Sequence, residues 1–141
     1  MLAQDRLLIG ILLTLLKNKR VSINNLCGLD PYQLCDVYNR SQATLATAYL
    51  EPFGLSVIES MACGTPVIAV SEGGFRETII NNKTGLLVER DGEKFALAIT
   101  KLIGDKKLYK SISDLSIIRA KKLFGWDNTV LKIEKLLYET I

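Results

Sequence analysis

Histidine is absent from this 141-residue chain. That one gap removes imidazole general bases, His-dependent nucleophile triads and His-ligated metals together. Any chemistry falls to carboxylates, backbone amides, Lys and Arg, hydroxyls or the substrate itself. Cysteine is scarce as well: Cys27, Cys35 and Cys63 are odd in number and no pair has C-x-x-C spacing. They read as reduced, partly buried thiols of a cytoplasmic protein rather than a disulfide framework or a zinc site. Neither G-x-G-x-x-G nor a P-loop occurs. Aromatics make up 7%, with no RNA-binding aromatic signature, zinc-finger spacing or dense basic stripe, so nucleic acid is not an expected partner. Long hydrophobic runs are also lacking. In "RLLIGILLTLLKNKR" the uncharged stretch Leu7 to Leu16 is ten residues, about half of what a bilayer requires, and no small-residue cleavage pattern follows. A buried strand or helix is expected there, with peripheral membrane contact on the cytoplasmic face as the lesser alternative.

What is present describes a folded domain. Apolar residues make up 48% and charged residues 23%, too apolar for disorder and enough for one core. The expectation is a single domain, 1–141, without internal repeats or linkers. The net charge of +3 suits an anionic ligand.

Strand and helix signals alternate along the chain. "VSINNL" reads as a strand. Asp30 followed by Pro31 is an N-cap with proline at the first helical position, so "PYQLCDVYN" should be helical. "QATLATAY" reads as a strand, "FGLSVIESMAC" as a helix, and "TPVIAV" as a fully apolar strand of the parallel-sheet kind. A turn at "SEGG" leads to a short helix, "FRETIINN", and then to the strand "TGLLVER". "GEKFALAITKLIGD" is amphipathic, with Phe95, Ala98, Ile99 and Leu102 on one face. Helices over 106–124 and 126–141 flank Gly125. This order predicts an α/β fold, a Rossmann-like parallel sheet with helices on both faces and a helical C-terminus.

In such a sheet, ligands bind beyond the carboxyl ends of the strands. "AYLEPFGL" is such a place. Pro52 fixes the backbone, Gly54 allows close approach, and the amides of Gly54, Leu55 and Ser56 would open a helix as a seat for phosphate. Glu51 precedes the seat and Glu59 follows it by one helical turn. Carboxylates are good acceptors for sugar hydroxyls, so the pair could grip a hydroxyl-rich group on each side of a diphosphate, the outline of a nucleotide sugar. On pattern alone, Glu59 reads equally as a solvated helix residue and "EPFG" as an ordinary turn.

The span "EPFGLSVIESMACGTPVIAVSEGGFRETIINNKTGLLVERDGEKFALAI" resembles the C-terminal, donor-binding domain of retaining GT-B glycosyltransferases of family 4, glycosyl transferases group 1. The likeness runs from about Val21 to Trp126, and the E-x7-E pair and the glycine-rich tail match in order and spacing. It implies transfer of a hexose from a UDP-, GDP- or ADP-sugar with retention, without metal or other cofactor, in glycan or polysaccharide biosynthesis. Glu51 would hold the transferred hexose and act as the catalytic carboxylate. The backbone of Phe53, Gly54 and Leu55 would line the sugar and phosphates, with the Leu55 and Ser56 amides on the diphosphate. Glu59 would accept from the ribose, and Gly28–Leu29 would contact the base. Cys63 to Pro66 would make a tight turn, Gly73–Gly74 would let the next helix start close to the site, and Trp126 would be core. Glu77 is left open between capping and binding.

The chain also departs from that family. An acceptor domain is not expected within these 141 residues, and Arg6, Lys17, Lys19 and Arg20 do not align with the basic pair by which that family neutralises the diphosphate. The first strand of the donor domain, expected beside "ATLATA", is missing too. The chain therefore reads as a donor half truncated at its N-terminus that needs an acceptor-domain partner. The alternative is a degenerate, non-catalytic module for nucleotide-sugar binding or protein interaction.

Overall fold

The computed structural model describes residue 24 and residues 26–139. The apolar run at 7–16 and most of "VSINNL" lie outside the described residues, and Asn24 and Leu26 are not in a strand.

Helix α1, Pro31–Arg40, starts where the sequence places it. The Asp30 carboxylate accepts the amides of Tyr32 and Gln33 at 2.8 and 2.9 Å, and the Gln33 side chain accepts the Asp30 amide in return. This reciprocal cap satisfies donors that a helix start leaves open. The alternation then runs through β1, Thr44–Ala46, α2, Leu55–Ala62, β2, Val67–Val70, α3, Phe75–Thr78, and β3, Leu86–Val88. The three strands form a parallel sheet in the order β1-β2-β3, with Thr44 opposite Val67 and Ile68 opposite Leu86. All four residues of β2 are buried. Successive side chains of a strand point to opposite faces, so the centre of the sheet is covered on both.

Helix α4, Gly92–Gly104, turns Phe95, Ala98 and Leu102 into the core, as its period requires. Asp105 closes α4 and caps α5, Lys106–Phe124, by accepting the amides of Lys107 and Leu108 at 3.0 Å. Helix α5 packs along α2, where the Ser113 hydroxyl donates to the Gly64 carbonyl at 2.6 Å. The turn expected at 63–66 is present: the amides of Gly64 and Thr65 return to the carbonyls of Met61 and Ser60, a helix-terminating pair of bonds.

One expectation about burial fails, and another holds for only one of three residues. Trp126 is 82% exposed rather than core. It opens α6, Trp126–Glu139, which follows the extended backbone at Gly125 and buries none of its residues. Cys27 and Cys35 are exposed and Cys63 is half-buried. Only Tyr38 of α1 faces inward far enough to be buried, which leaves Cys35 at the rim. No helix among the described residues is long and apolar enough to cross a membrane.

Candidate functional site

The segment 47–54 links the carboxyl end of β1 to α2. Its shape is set by two close approaches. Gly54 caps α2 at φ +85°, in the left-handed region that glycine occupies without strain, and a Cβ there would come within 2.7 Å of the Phe75 ring. Across the site, the Gly74 amide donates to the Glu51 carbonyl at 2.7 Å. A Cβ on Gly74 would collide with the Pro52 carbonyl. The glycine pair after β2 therefore lets the loop after β1 lie directly against it, and the next helix, α3, starts at Phe75 immediately after the pair.

Glu51 is half-buried, and its Oε1 accepts the Gly54 amide at 3.1 Å and the Phe53 amide at 3.4 Å. This corrects one expectation. The Gly54 amide is not free for a phosphate, because the carboxylate three residues back has folded over it. The seat reduces to the Leu55 and Ser56 amides, which have no carbonyl ahead of them in α2. Leu55 is 66% exposed and Phe53 47% exposed, so the opening of the helix faces outward.

Glu59 lies one turn further into α2 and is exposed. The buried Tyr38 of α1 donates its hydroxyl to Glu59 Oε2 at 3.2 Å. Burial, followed by the neighbouring Glu59 carboxylate, pushes this phenol up to about 12, so it stays a donor through neutral pH. One oxygen of Glu59 is anchored in this way, while the carboxylate remains open to solvent. Gly28, at φ +65°, and half-buried Leu29 lie just ahead of α1. No hydrogen bond among the described residues ties either to the 51–59 segment, and their connection to Glu59 runs through α1 and Tyr38. The Glu77 side chain is exposed, and its backbone carbonyl accepts from Arg119 at 2.6 Å.

Sequence reasoning missed Tyr38 and, more consequentially, Arg90. Arg90 follows β3 and gathers the ends of all three strands. Its Nε and Nη2 fork onto Glu72 at 3.0 and 2.6 Å, while Nη1 and Nη2 donate to the Thr47 and Ala48 carbonyls, both at 2.9 Å. Its guanidinium also lies 5.2 Å from the centre of the Tyr49 ring. Hydrogen bonding from Arg90 holds the Glu72 carboxyl below its usual range, against the opposite pull of partial burial. Arg90 thus fixes the stem of the loop that carries Glu51. The available signal was its place at the carboxyl end of the last strand, on the rim where ligands bind.

Comparison with known proteins places this geometry. The family model for "Glycosyl transferases group 1" matches residues 13–116. The D-inositol 3-phosphate glycosyltransferase of Thermobispora bispora is 32% identical over 110 residues, covering 77% of this chain and 26% of that protein. The protein of the same name from Rhodococcus jostii is 37% identical over 100 residues, covering 70% and 22%. The chain thus spans about a quarter of the length of these relatives. Among solved structures, sucrose-phosphate synthase from Thermosynechococcus elongatus superposes with a TM-score of 0.79 at 32% identity, over 98% of this chain and 34% of that one. Anabaena Alr3699/HepE in complex with UDP-glucose shares the fold, with a TM-score of 0.70 at 23% identity over 76% of this chain and 30% of its own. Sheet, loop and paired glutamates occur together in a chain whose family match covers most of its length: it belongs to the glycosyl transferases group 1 family and carries part of a GT-B glycosyltransferase fold.

Proposed function

We propose that this chain is the donor-binding part of a glycosyltransferase that takes a hexose from a UDP-, GDP- or ADP-sugar and transfers it with retention. The observation that carries the reading is the Glu51–Glu59 segment, which sets two carboxylates around the start of α2 at the carboxyl end of β1. The Leu55 and Ser56 amides, aided by the helix dipole, hold the diphosphate and stabilise it as it leaves. Glu51 releases its hold on the Gly54 amide and accepts hydroxyls of the hexose at the reacting end, with the backbone of Phe53 and Gly54 lining the sugar. Glu59, steadied by Tyr38, accepts the ribose hydroxyls. Gly28–Leu29 lies on the α1 side, toward the base. The complex of the Anabaena protein with UDP-glucose supports a nucleotide sugar as the ligand. No metal or other cofactor is assigned a role, because the leaving diphosphate is stabilised by backbone amides.

Transfer also needs an acceptor-binding part, supplied by a partner chain or by sequence joined to this one. The exposed apolar side chains of α6, among them Leu131 and Ile133 at 62% and 52% exposure, support an association of this kind. The domain boundaries, the cytoplasmic setting and any peripheral membrane contact belong to the same proposal. The second reading, a binding module without turnover, is favoured by the Glu51 carboxylate, whose Oε1 is already taken up by the Phe53 and Gly54 amides. Equilibrium titration of the chain with UDP-, GDP- and ADP-glucose tests the donor site, and adding a candidate acceptor-domain chain tests turnover. Saturable binding of one nucleotide sugar, with product forming when the partner is added, supports the first reading. Binding without product under any pairing supports the module. A folded chain that binds none of the three contradicts both.

A further inference from the structure

Helices α1 and α2 meet through two side-chain rungs. Tyr38 to Glu59 is the polar one. The other is sulfur: Cys35 Sγ lies 3.6 Å from Cys63 Sγ, in contact. The rungs are adjacent, since Tyr38 follows Cys35 by one turn on α1 and Cys63 follows Glu59 by one turn on α2, where the Cys63 amide donates to the Glu59 carbonyl at 3.1 Å. Cys35 is exposed and Cys63 half-buried, so one sulfur is open to a reagent and the other waits behind it. The Asn39 side-chain amide donates to Cys35 Sγ at 3.4 Å, which holds that sulfur in place beside Cys63. We propose that Cys35 and Cys63 form a reversible intramolecular disulfide on exposure to a low-molecular-weight disulfide such as oxidised glutathione, and that this bond acts as a redox latch on the helix that presents Glu59.

The chemistry balances as two exchanges. The Cys35 thiolate attacks one sulfur of the reagent, forming a mixed disulfide and releasing one reduced thiol. The Cys63 sulfur then attacks Cys35 Sγ, expels the second reduced thiol and closes the protein disulfide. Two protein thiols lose two electrons and their protons, and one reagent disulfide is reduced to two thiols. Burial, followed by the hydrogen bond with Cys35, pushes Cys63 up to about 11, which fits Cys35 as the attacking thiol and Cys63 as the resolving one. Bonding draws the sulfurs from 3.6 Å to about 2.05 Å. That movement pulls the end of α2 toward α1 and presses Glu59 against Tyr38, so the carboxylate is less available to a ligand. This consequence rests on the assignment of Glu59 to the nucleotide.

The test equilibrates the native full chain with oxidised and reduced glutathione, quenches it in acid, blocks remaining thiols and maps the peptides by mass. The expected result is loss of two thiols, a peptide joining Cys35 to Cys63, and full recovery on adding excess reduced glutathione. Cys27→Ser keeps the joined peptide, whereas Cys63→Ser stops at a glutathione adduct on Cys35. A glutathione adduct that persists on Cys35 of the unsubstituted chain, or a bond to Cys27, overturns the pairing. The second readout is affinity for UDP in the two forms, expected to be weaker in the oxidised form by about fivefold or more. Equal affinities overturn the latch while leaving the bond. A reduced chain that binds no UDP instead overturns the donor assignment, and the peptide map still decides the disulfide.

Discussion

Replacing Arg90 by Ala removes four hydrogen bonds at once, two to the Glu72 carboxylate and two to the Thr47 and Ala48 carbonyls. Bonds of this kind to a charged group contribute about 1.5 to 3 kcal/mol each when measured singly. They do not add fully, and Arg90 and Glu72 keep 20% and 26% of their side-chain surface exposed, so water takes over part of the loss. The expected destabilisation is about 3 kcal/mol, a fall of about 10 °C in Tm for a chain of this size. Urea unfolding followed by far-ultraviolet circular dichroism is the appropriate assay, because Trp126 is 82% exposed and its fluorescence would report little. Arg90→Lys should recover less than half of the loss, since an ammonium cannot fork onto a carboxylate while also reaching two carbonyls. In a Glu72→Ala background, Arg90→Ala should cost less by about 1 to 3 kcal/mol. A loss below about 0.5 kcal/mol for Arg90→Ala, or strict additivity with Glu72→Ala, refutes the claim that this residue ties the strand ends together.

Gly74→Ala drives a Cβ into the Pro52 carbonyl and should cost about 2 to 3 kcal/mol; a variant with unchanged urea midpoint would show that the two loops are not in contact. The alkaline limb of stability should be carried by Tyr38 and Cys63. Their folded pKa values, about 12 and about 11, lie above the ordinary 10.0 and 9.0, so their contribution is whole below the ordinary values and lost as pH rises through the folded ones. Denaturation midpoints followed upward from neutral pH should fall over that window, and Tyr38→Phe should flatten the fall. Glu72 works in the opposite sense: its folded pKa is lowered, so its contribution is present above the ordinary 4.5 and lost as pH falls through the folded value. Arg90→Ala should remove that acid limb, which a pH series on the variant would reveal.

The elements were legible where local chemistry sets them. The Asp30–Pro31 cap, the apolar "VIAV" and the Phe95, Ala98 and Leu102 stripe each act within a few residues, and each appears where its pattern points. The strands are shorter than their patterns, because pairing in the parallel ladder rather than β-propensity ends them. What was hidden depends on distance along the chain. Arg90 meets carbonyls 42 and 43 positions away, and Tyr38 meets Glu59 across 21. No local window contains such pairs. The Glu51 fold-back shows another limit: a carboxylate suited to a sugar is also suited to its own loop's amides, and the chain alone does not rank the two. Trp126 failed for a related reason, since an aromatic at a helix start is core only if another element covers it.

The central claim is that Glu59 holds a nucleotide. Isothermal titration of UDP, GDP and ADP into the unsubstituted chain and into Glu59→Ala tests it most directly, with circular dichroism confirming that both are folded. Two hydroxyls bonded to one carboxylate predict a loss of about 10- to 100-fold in affinity for the preferred nucleotide. Equal affinity in the two proteins would contradict the account.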